Sequence, residues 1–390
     1  HFALCFIKVY MNKVILTTVF SGYNYGSSLQ AFAGKTILKE LGYDCQLVAQ
    51  KSLVKGRDIR VKKLLTILTR SLLLRGKSGS KSLSTYQMSY NKTMIGDSVA
   101  RFTRFTEEKL QPNYLSFGDM KDAAKMAVAC FAGSDQIWNS STMYVDPMYY
   151  LRFAPKEKRV ALAPSFGRDF IADYNKEKIR KWISEFAHIS IREDSGVKLI
   201  KEMTGRDATH LLDPTLMVNS DTWKKALGIA DNNGNYILAY FLDKPSDSAR
   251  MAIAELKAAL KCEVIAIPYQ FDDMSYCNKV VPSGPIEFLD LINNAKCVIT
   301  DSFHGTAFSI NLHTPFYVFG RAYGTAHSQN SRVESILKMM NMQDRFEPED
   351  VCSQYDMIDF DYSEKILNEE RVNARKYLRN ALNEIEKDEK

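Results

Sequence analysis

Val14-Ile15-Leu16-Thr17-Thr18-Val19 is a short run rich in β-branched residues, and its place at the head of a repeating pattern decides the fold. The run reads as a buried strand. Next comes a glycine-bearing turn, Ser21-Gly22-Tyr23-Asn24-Tyr25-Gly26-Ser27-Ser28, then a helical pattern over 29–41 and a second strand opening at 45–48. Strand, helix and strand in that order make two parallel strands joined by a crossover, the repeating unit of an α/β sheet. Short apolar runs at 126–131, 160–163, 189–191 and 210–212 extend the series.

A second series begins after Trp223, with strands expected at 235–241, 263–267, 296–300 and 315–319 and helices at 248–260 and 285–294. The polar Asp231-Asn232-Asn233-Gly234 between the series reads as a hinge. The expected architecture is therefore α/β, two Rossmann-like domains facing a central cleft. Its boundaries are 11–230 for the first domain and 231–350 for the second. A charged tail, 351–390, carries an amphipathic helix over 362–385 that reads as solvated.

Composition narrows the function. The 390 residues carry a net charge of +6, concentrated between 51 and 81, where ten Lys or Arg face the single acid Asp58. The rest of the chain is not basic, which argues against a nucleic-acid partner. Within that segment, 57–75 places leucines near helical spacing among Lys and Arg. Such a helix could lie on an anionic membrane surface or pack on its own domain. Seven scattered cysteines form no C-x-x-C pair and no metal-ligand spacing, so a reducing, cytoplasmic setting without structural zinc is expected, at the inner face of the membrane if 57–75 attaches there. No apolar run reaches the ~18 residues of a spanning helix. Residues 1–10 lack the pattern of a signal peptide, and Met11-Asn12-Lys13 reads as the natural start. A mobile loop is expected over 76–84.

Five segments carry candidate chemistry. In Cys297-Val298-Ile299-Thr300-Asp301-Ser302-Phe303-His304-Gly305-Thr306-Ala307-Phe308 a buried strand runs straight into a helix bearing a histidine in its first turn. Helix N-termini favour anions, and a histidine there can move protons near neutral pH. Gly133-Ser134-Asp135-Gln136-Ile137-Trp138-Asn139 leaves another strand. Asp135 could act as a base or hold a sugar hydroxyl and Trp138 could stack on a sugar; equally, Ser134 or Asp135 could cap a helix and Trp138 could be core. Asn24-Tyr25-Gly26 is a weaker phosphate or sugar turn, more often a plain β-α connection. Arg192, in Arg192-Glu193-Asp194-Ser195-Gly196, could fork onto a carboxylate or phosphate, while Glu193 and Asp194 suit a helix's first turn. The polar loop 320–332, with Gly320 and Gly324 as hinge points for a lid, offers Arg321, His327 and Arg332 as anion contacts, with Ser331 the expected cap of the next helix.

Taken in order, the strings at 24–27, 133–139, 192–196 and 301–305, with Ser165-Phe166-Gly167 and Asp213-Pro214-Thr215, resemble the polysaccharide pyruvyl transferase family from about residue 13 to about residue 345. The resemblance implies a GT-B-like fold, with 11–230 on the acceptor side and 231–350 on the donor side, and transfer of the pyruvyl group of phosphoenolpyruvate (PEP) to two hydroxyls of a sugar in a cell-surface polysaccharide or its lipid-linked precursor. A cyclic ketal forms and phosphate leaves; no metal and no cofactor beyond PEP as donor substrate is implied. It makes His304 the proton donor or phosphate stabiliser, in a donor site of Arg192, Ser302, Phe303, His304, Gly305, Arg321 and Arg332. Asn24, Tyr25, Gly26, Ser134, Asp135 and Trp138 then face the acceptor sugar, with Asp135 ahead of Asp301 as general base. Characterised members carry arginine two residues before the histidine, where this chain has Ser302, and Arg321 or Arg332 is the substitute. A nucleotide-sugar glycosyltransferase, or a non-catalytic glycan-assembly protein of the same fold, are the alternatives. The acceptor sugar and oligomeric state stay open.

Overall fold

The computed structural model describes residues 12–52, 60–73, 97–268, 274–321 and 327–388. Its elements begin with β1 (Lys13–Thr17), α1 (Tyr25–Glu40), β2 (Asp44–Gln50), α2 (Val61–Leu73), α3 (Ser98–Phe105), β3 (Asn113–Leu115), α4 (Phe117–Met126) and β4 (Ala129–Ala132). Next are β5 (Arg159–Ala161), α5 (Asp173–Ile183), β6 (Ser190–Ile191), α6 (Asp194–Thr204), β7 (Thr209–His210), α7 (Pro214–Met217) and α8 (Ser220–Leu227). The series continues with β8 (Tyr236–Tyr240), α9 (Asp247–Leu260), β9 (Glu263–Ala266), β10 (Lys279–Val280), α10 (Pro285–Asn293), β11 (Cys297–Thr300) and α11 (Phe303–Asn311). Last come β12 (Phe316–Val318), α12 (His327–Met339) and α13 (Phe360–Asp388).

Among the described residues there are two five-stranded sheets, ordered β3-β2-β1-β4-β5 and β10-β9-β8-β11-β12. Every pairing in them is parallel, with Val14 opposite both Cys45 and Ala129, and Val298 opposite both Leu238 and Phe316. The two Rossmann-like sheets expected from the alternating series are thus present, with the same strand order in each. Central strands of such sheets are covered on both faces and need no polar side. Accordingly Ala129–Ala132 and Cys297–Thr300 are buried at every position.

Chain contacts divide the molecule into two compact units, one drawn from His1–Lys92, Thr106–Pro214 and Val372–Lys390, the other from Thr93–Phe105 and Thr215–Arg371. The division after Pro214 precedes the expected hinge. Asp231-Asn232-Asn233-Gly234 is instead tied inside the second unit: Asn294 accepts the Asn232 N–H at 2.6 Å and donates to the Ala230 carbonyl at 3.0 Å. The C-terminal helix is amphipathic as expected, but with a stripe, Leu367, Ala374, Leu378, Leu382 and Ile385, that is buried rather than solvated. Residues 1–11, and with them the expected start, lie outside the described residues, as do the loop 76–84 and the flanks 53–59 and 74–81 of the basic segment. Among the described residues no helix is long and apolar enough to cross a membrane.

Candidate functional site

In the first unit, loops at the carboxyl ends of the strands converge on Asp135, where the strand order reverses between β1 and β4. Ligands of open α/β sheets bind at such a switch point. Thr18, just past β1, donates to the Ser134 carbonyl at 3.0 Å. The Ser134 hydroxyl donates to Asp213 at 3.2 Å, and Arg192 donates to the same Asp213 oxygen at 2.5 Å. Burial alone would lower the Arg192 guanidinium; the carboxylates of Asp213, Glu193 and Asp135 outweigh it and hold it above its ordinary value.

Asp135 itself has φ 64° and ψ −175°, a backbone region that is nearly exclusive to glycine. It is held there from several sides. Its carbonyl accepts the N–H groups of Ile137 at 2.8 Å and Ser165 at 2.9 Å, and one carboxylate oxygen accepts its neighbour Gln136 N–H at 2.8 Å. The other oxygen accepts the Ser27 hydroxyl at 2.5 Å. Strain over-determined in this way marks functional positions more often than scaffolding. The carboxylate stays half-buried, within reach of solvent.

Other residues expected on the acceptor side turn inward. Trp138 is fully buried, stacked on Tyr150 with ring centroids 5.6 Å apart, and its indole N–H donates to the Tyr149 carbonyl at 3.1 Å. Its ring face and polar edge are spent on the core, so the expected sugar platform is a packing residue. Tyr25 and Ser134 are likewise fully buried. Asn24 caps α1, accepting the Ser27 N–H at 3.0 Å, which makes 24–26 a plain β-α turn. Gly133 answers to packing rather than to ligand approach, since a Cβ there would stand 2.8 Å from that of Thr18. Arg192, expected to fork onto a donor anion, is buried and closes on Asp213.

Two residues escape a reading of the sequence alone. Ser27 reads as one more small residue of the turn, yet its hydroxyl is what holds Asp135. Glu193 suits the first turn of a helix, but at the head of α6 its side chain makes no cap bond. It turns instead to Ser165, whose hydroxyl donates to it, and to Arg192, whose Nε lies 3.5 Å away. Its second oxygen is buried and accepts no hydrogen bond among the described residues. A carboxylate directly after an arginine at a strand's end is the signal that could have found it.

In the second unit the corresponding switch point lies between β8 and β11. Asp301 spans it, accepting the backbone N–H groups of Leu242 at 2.7 Å and Asp243 at 2.9 Å, while Arg321 Nε lies 3.2 Å away. Burial raises the Asp301 carboxyl, against the pull of Arg321 and the two N–H groups. Its oxygens are committed to the backbone, so Asp301 is a clamp between strands rather than the alternative base. Ser302 is the N-cap of α11: its hydroxyl accepts the Gly305 N–H at 3.3 Å. That uses the Gly305 N–H expected to meet an anion, and the missing Cβ of Gly305 serves packing, since it would stand 2.6 Å from Thr300 Oγ1.

His304 sits in the first turn of α11, half-buried, its ring edge-on to Phe303 at 5.2 Å. Arg332 lies over the same Phe303 ring, 5.9 Å from the centroid, and Arg321 donates to the Asp301 carbonyl at 3.2 Å. Both arginines named as substitutes for the one missing at Ser302 are therefore at the motif. The stretch 327–332, expected as loop, begins α12, so Ser331 lies within a helix; the side chains of His327 and Ser331 and all of 322–326, including Gly324, lie outside the described residues. Among the described residues no group of acidic, Cys or His side chains is disposed to hold a metal.

Comparison with known proteins adds four findings. Over 52 residues, 13% of this chain and 15% of that protein, the sequence is 48% identical to General stress protein 30 of Bacillus subtilis (strain 168). The match thus spans about 15% of that curated relative's length. The structure is similar to UDP-GlcNAc 2-epimerase from Neisseria meningitidis bound to UDP-GlcNAc, at 11% identity and TM-score 0.42, over 93% of this chain and 100% of that one. It is similar also to Escherichia coli heptosyltransferase WaaC, at 11% identity and TM-score 0.34, over 84% and 99%. The family model for polysaccharide pyruvyl transferase matches residues 24–323, a span that takes in both the Asp135 loops and the His304 turn. The chain belongs to the polysaccharide pyruvyl transferase family.

Proposed function

We propose that this protein transfers the pyruvyl group of PEP onto two hydroxyls of a sugar in a cell-surface polysaccharide or its lipid-linked precursor. The observation that carries the reading is the family match extending across His304, in a helix turn flanked by Arg321 and Arg332. PEP bears a phosphate and a carboxylate on one small carbon frame, so a donor site needs cations and a proton source together.

In this reading the second unit handles the donor. His304 protonates the methylene carbon of PEP, leaving C2 electron-poor, and a sugar hydroxyl adds there with loss of its proton to a base. The C2–O bond to phosphate then breaks and phosphate leaves, its charge met by Arg321 and Arg332. The second hydroxyl closes on C2, losing its proton, and the cyclic ketal results. Protons and bonds balance to one ketal and one inorganic phosphate per PEP.

The test is phosphate release from PEP in the presence of lipid-linked glycans. We expect His304→Ala to lose on the order of 10²–10⁴-fold in turnover while remaining folded, the range general acids supply. Arg332→Ala should chiefly raise the KM for PEP. Unchanged turnover in His304→Ala removes the assignment of that residue. Turnover of a nucleotide-sugar, with PEP ignored, removes the reaction itself.

A further inference from the structure

We propose that one face of the first unit, built on α2 with Phe170 and Tyr174, is a docking surface for an anionic phospholipid membrane. The two readings left open for the 57–75 segment make different demands on its leucines. A helix packed on its own domain would bury them. Instead, Val61 and Leu65 are each 56% exposed, Leu68 is 53% exposed, and Leu64 is exposed beside them. These positions keep helical spacing and form one outward stripe.

The helix is not loose. Arg60, just before it, is buried and paired with Asp146 and Gln50. Ile67 packs inward, and Arg70 donates to the Met143 carbonyl at 3.1 Å and to Asn175 at 2.8 Å. Those ties fix the opposite face downward, so the apolar stripe is held out to solvent rather than caught in passing.

Two exposed aromatic rings stand beside the helix, Tyr174 joined to it through Arg70. Tyr174 lies against Arg70, 5.9 Å from guanidinium to ring centroid, and Phe170 against Arg168 at 5.4 Å; both rings are exposed. Cations surround them. Lys62 is exposed on the helix, and the Lys178 ammonium feels the charges of Arg70 and Lys62. The helix itself contains no acid, and on the neighbouring α5 Glu177 is already paired with Arg180, leaving Asp173 in its first turn and Asp169 beside Phe170 as the exposed acids. Apolar side chains to enter the acyl boundary, rings for the headgroup level and a surround of cations match an anionic bilayer surface and no other single partner so fully.

The inference goes beyond pyruvyl transfer and does not depend on it. Its test is flotation of the full chain with vesicles of phosphatidylcholine alone or mixed with phosphatidylglycerol. We expect binding to the mixed vesicles only, weakened by salt. Lys62→Gln with Lys178→Gln should weaken it by about 30-fold, at about 1 kcal/mol for each cation near such a surface. Leu65→Gln with Leu68→Gln should abolish it without lowering the melting temperature. Absence of binding at low salt, or binding indifferent to the leucine pair, overturns the proposal. So does sedimentation showing that the same leucine pair converts a dimer to a monomer, which would make the occupant a second copy.

Discussion

At the scale of single residues, Asp135 is where sequence and structure inform each other most. The string around it points to a polar residue at a strand's carboxyl end, and nothing in one dimension reveals its left-handed backbone. That φ of 64° is held from two other loops, by Ser165 on the carbonyl and by Ser27 on the carboxylate. The grip makes a comparison of substitutions decisive. Asp135→Gly removes the Cβ penalty and Asp135→Ala keeps it, so the glycine variant should be the more stable of the two by about 1–2 kcal/mol in denaturant titration. Equal midpoints would mean that the strain is not carried by the Cβ. Trp138 is the converse case: an aromatic near a candidate site is equally consistent with a platform and a core, and only its partners Tyr150 and Tyr149 decide.

At the scale of elements, α11 shows how little freedom its N-terminal turn retains. Ser302 accepts a backbone N–H from Gly305, and Thr300 Oγ1 accepts the Ser302 N–H at 3.0 Å while donating to the Tyr240 carbonyl at 2.6 Å. Thr300 cannot swing aside from a new Cβ on Gly305. Gly305→Ala is therefore expected to cost about 1–3 kcal/mol through overpacking, and Ser302→Ala about 1 kcal/mol through loss of the cap. Urea midpoints measure both. A neutral Gly305→Ala would show that the helix can lift from β11. Serine and glycine here look like ligand-binding choices in the sequence; their spacing from the helix start is also that of a cap and a close approach. The strand-turn-helix units themselves were legible because apolar runs of four or five residues alternate with longer amphipathic ones. The outward stripe of α2 was not, because leucine periodicity is the same whether a helix face meets its domain or solvent.

At the scale of the molecule, charge pairing ties stability to pH. Burial pushes the Glu185 carboxyl up, but hydrogen bonds from Arg152 and Arg159 outweigh it, with Lys156 adding its charge, and bring it down to about 2. A carboxyl lowered in the folded state contributes stability above its ordinary value, which is lost as pH falls towards the folded one. The stability gap between wild type and Glu185→Gln should thus be constant above about pH 6 and close between about pH 4.5 and 2. A gap that persists unchanged at the acid end would show that the carboxylate is not what Arg152 and Arg159 hold. The division of the chain was the part of the architecture least legible beforehand. A polar run such as 231–234 resembles a linker in composition, and only the side chain of Asn294, far along the chain, ties it to one unit. The strand order has a further consequence, for synthesis. In each sheet the first strand made is the central one, and it waits for a partner made later: Leu16 for Phe131, Leu238 for Val298. The first unit also includes Val372–Lys390, so the unit begun earliest on the ribosome is the last to have all its parts.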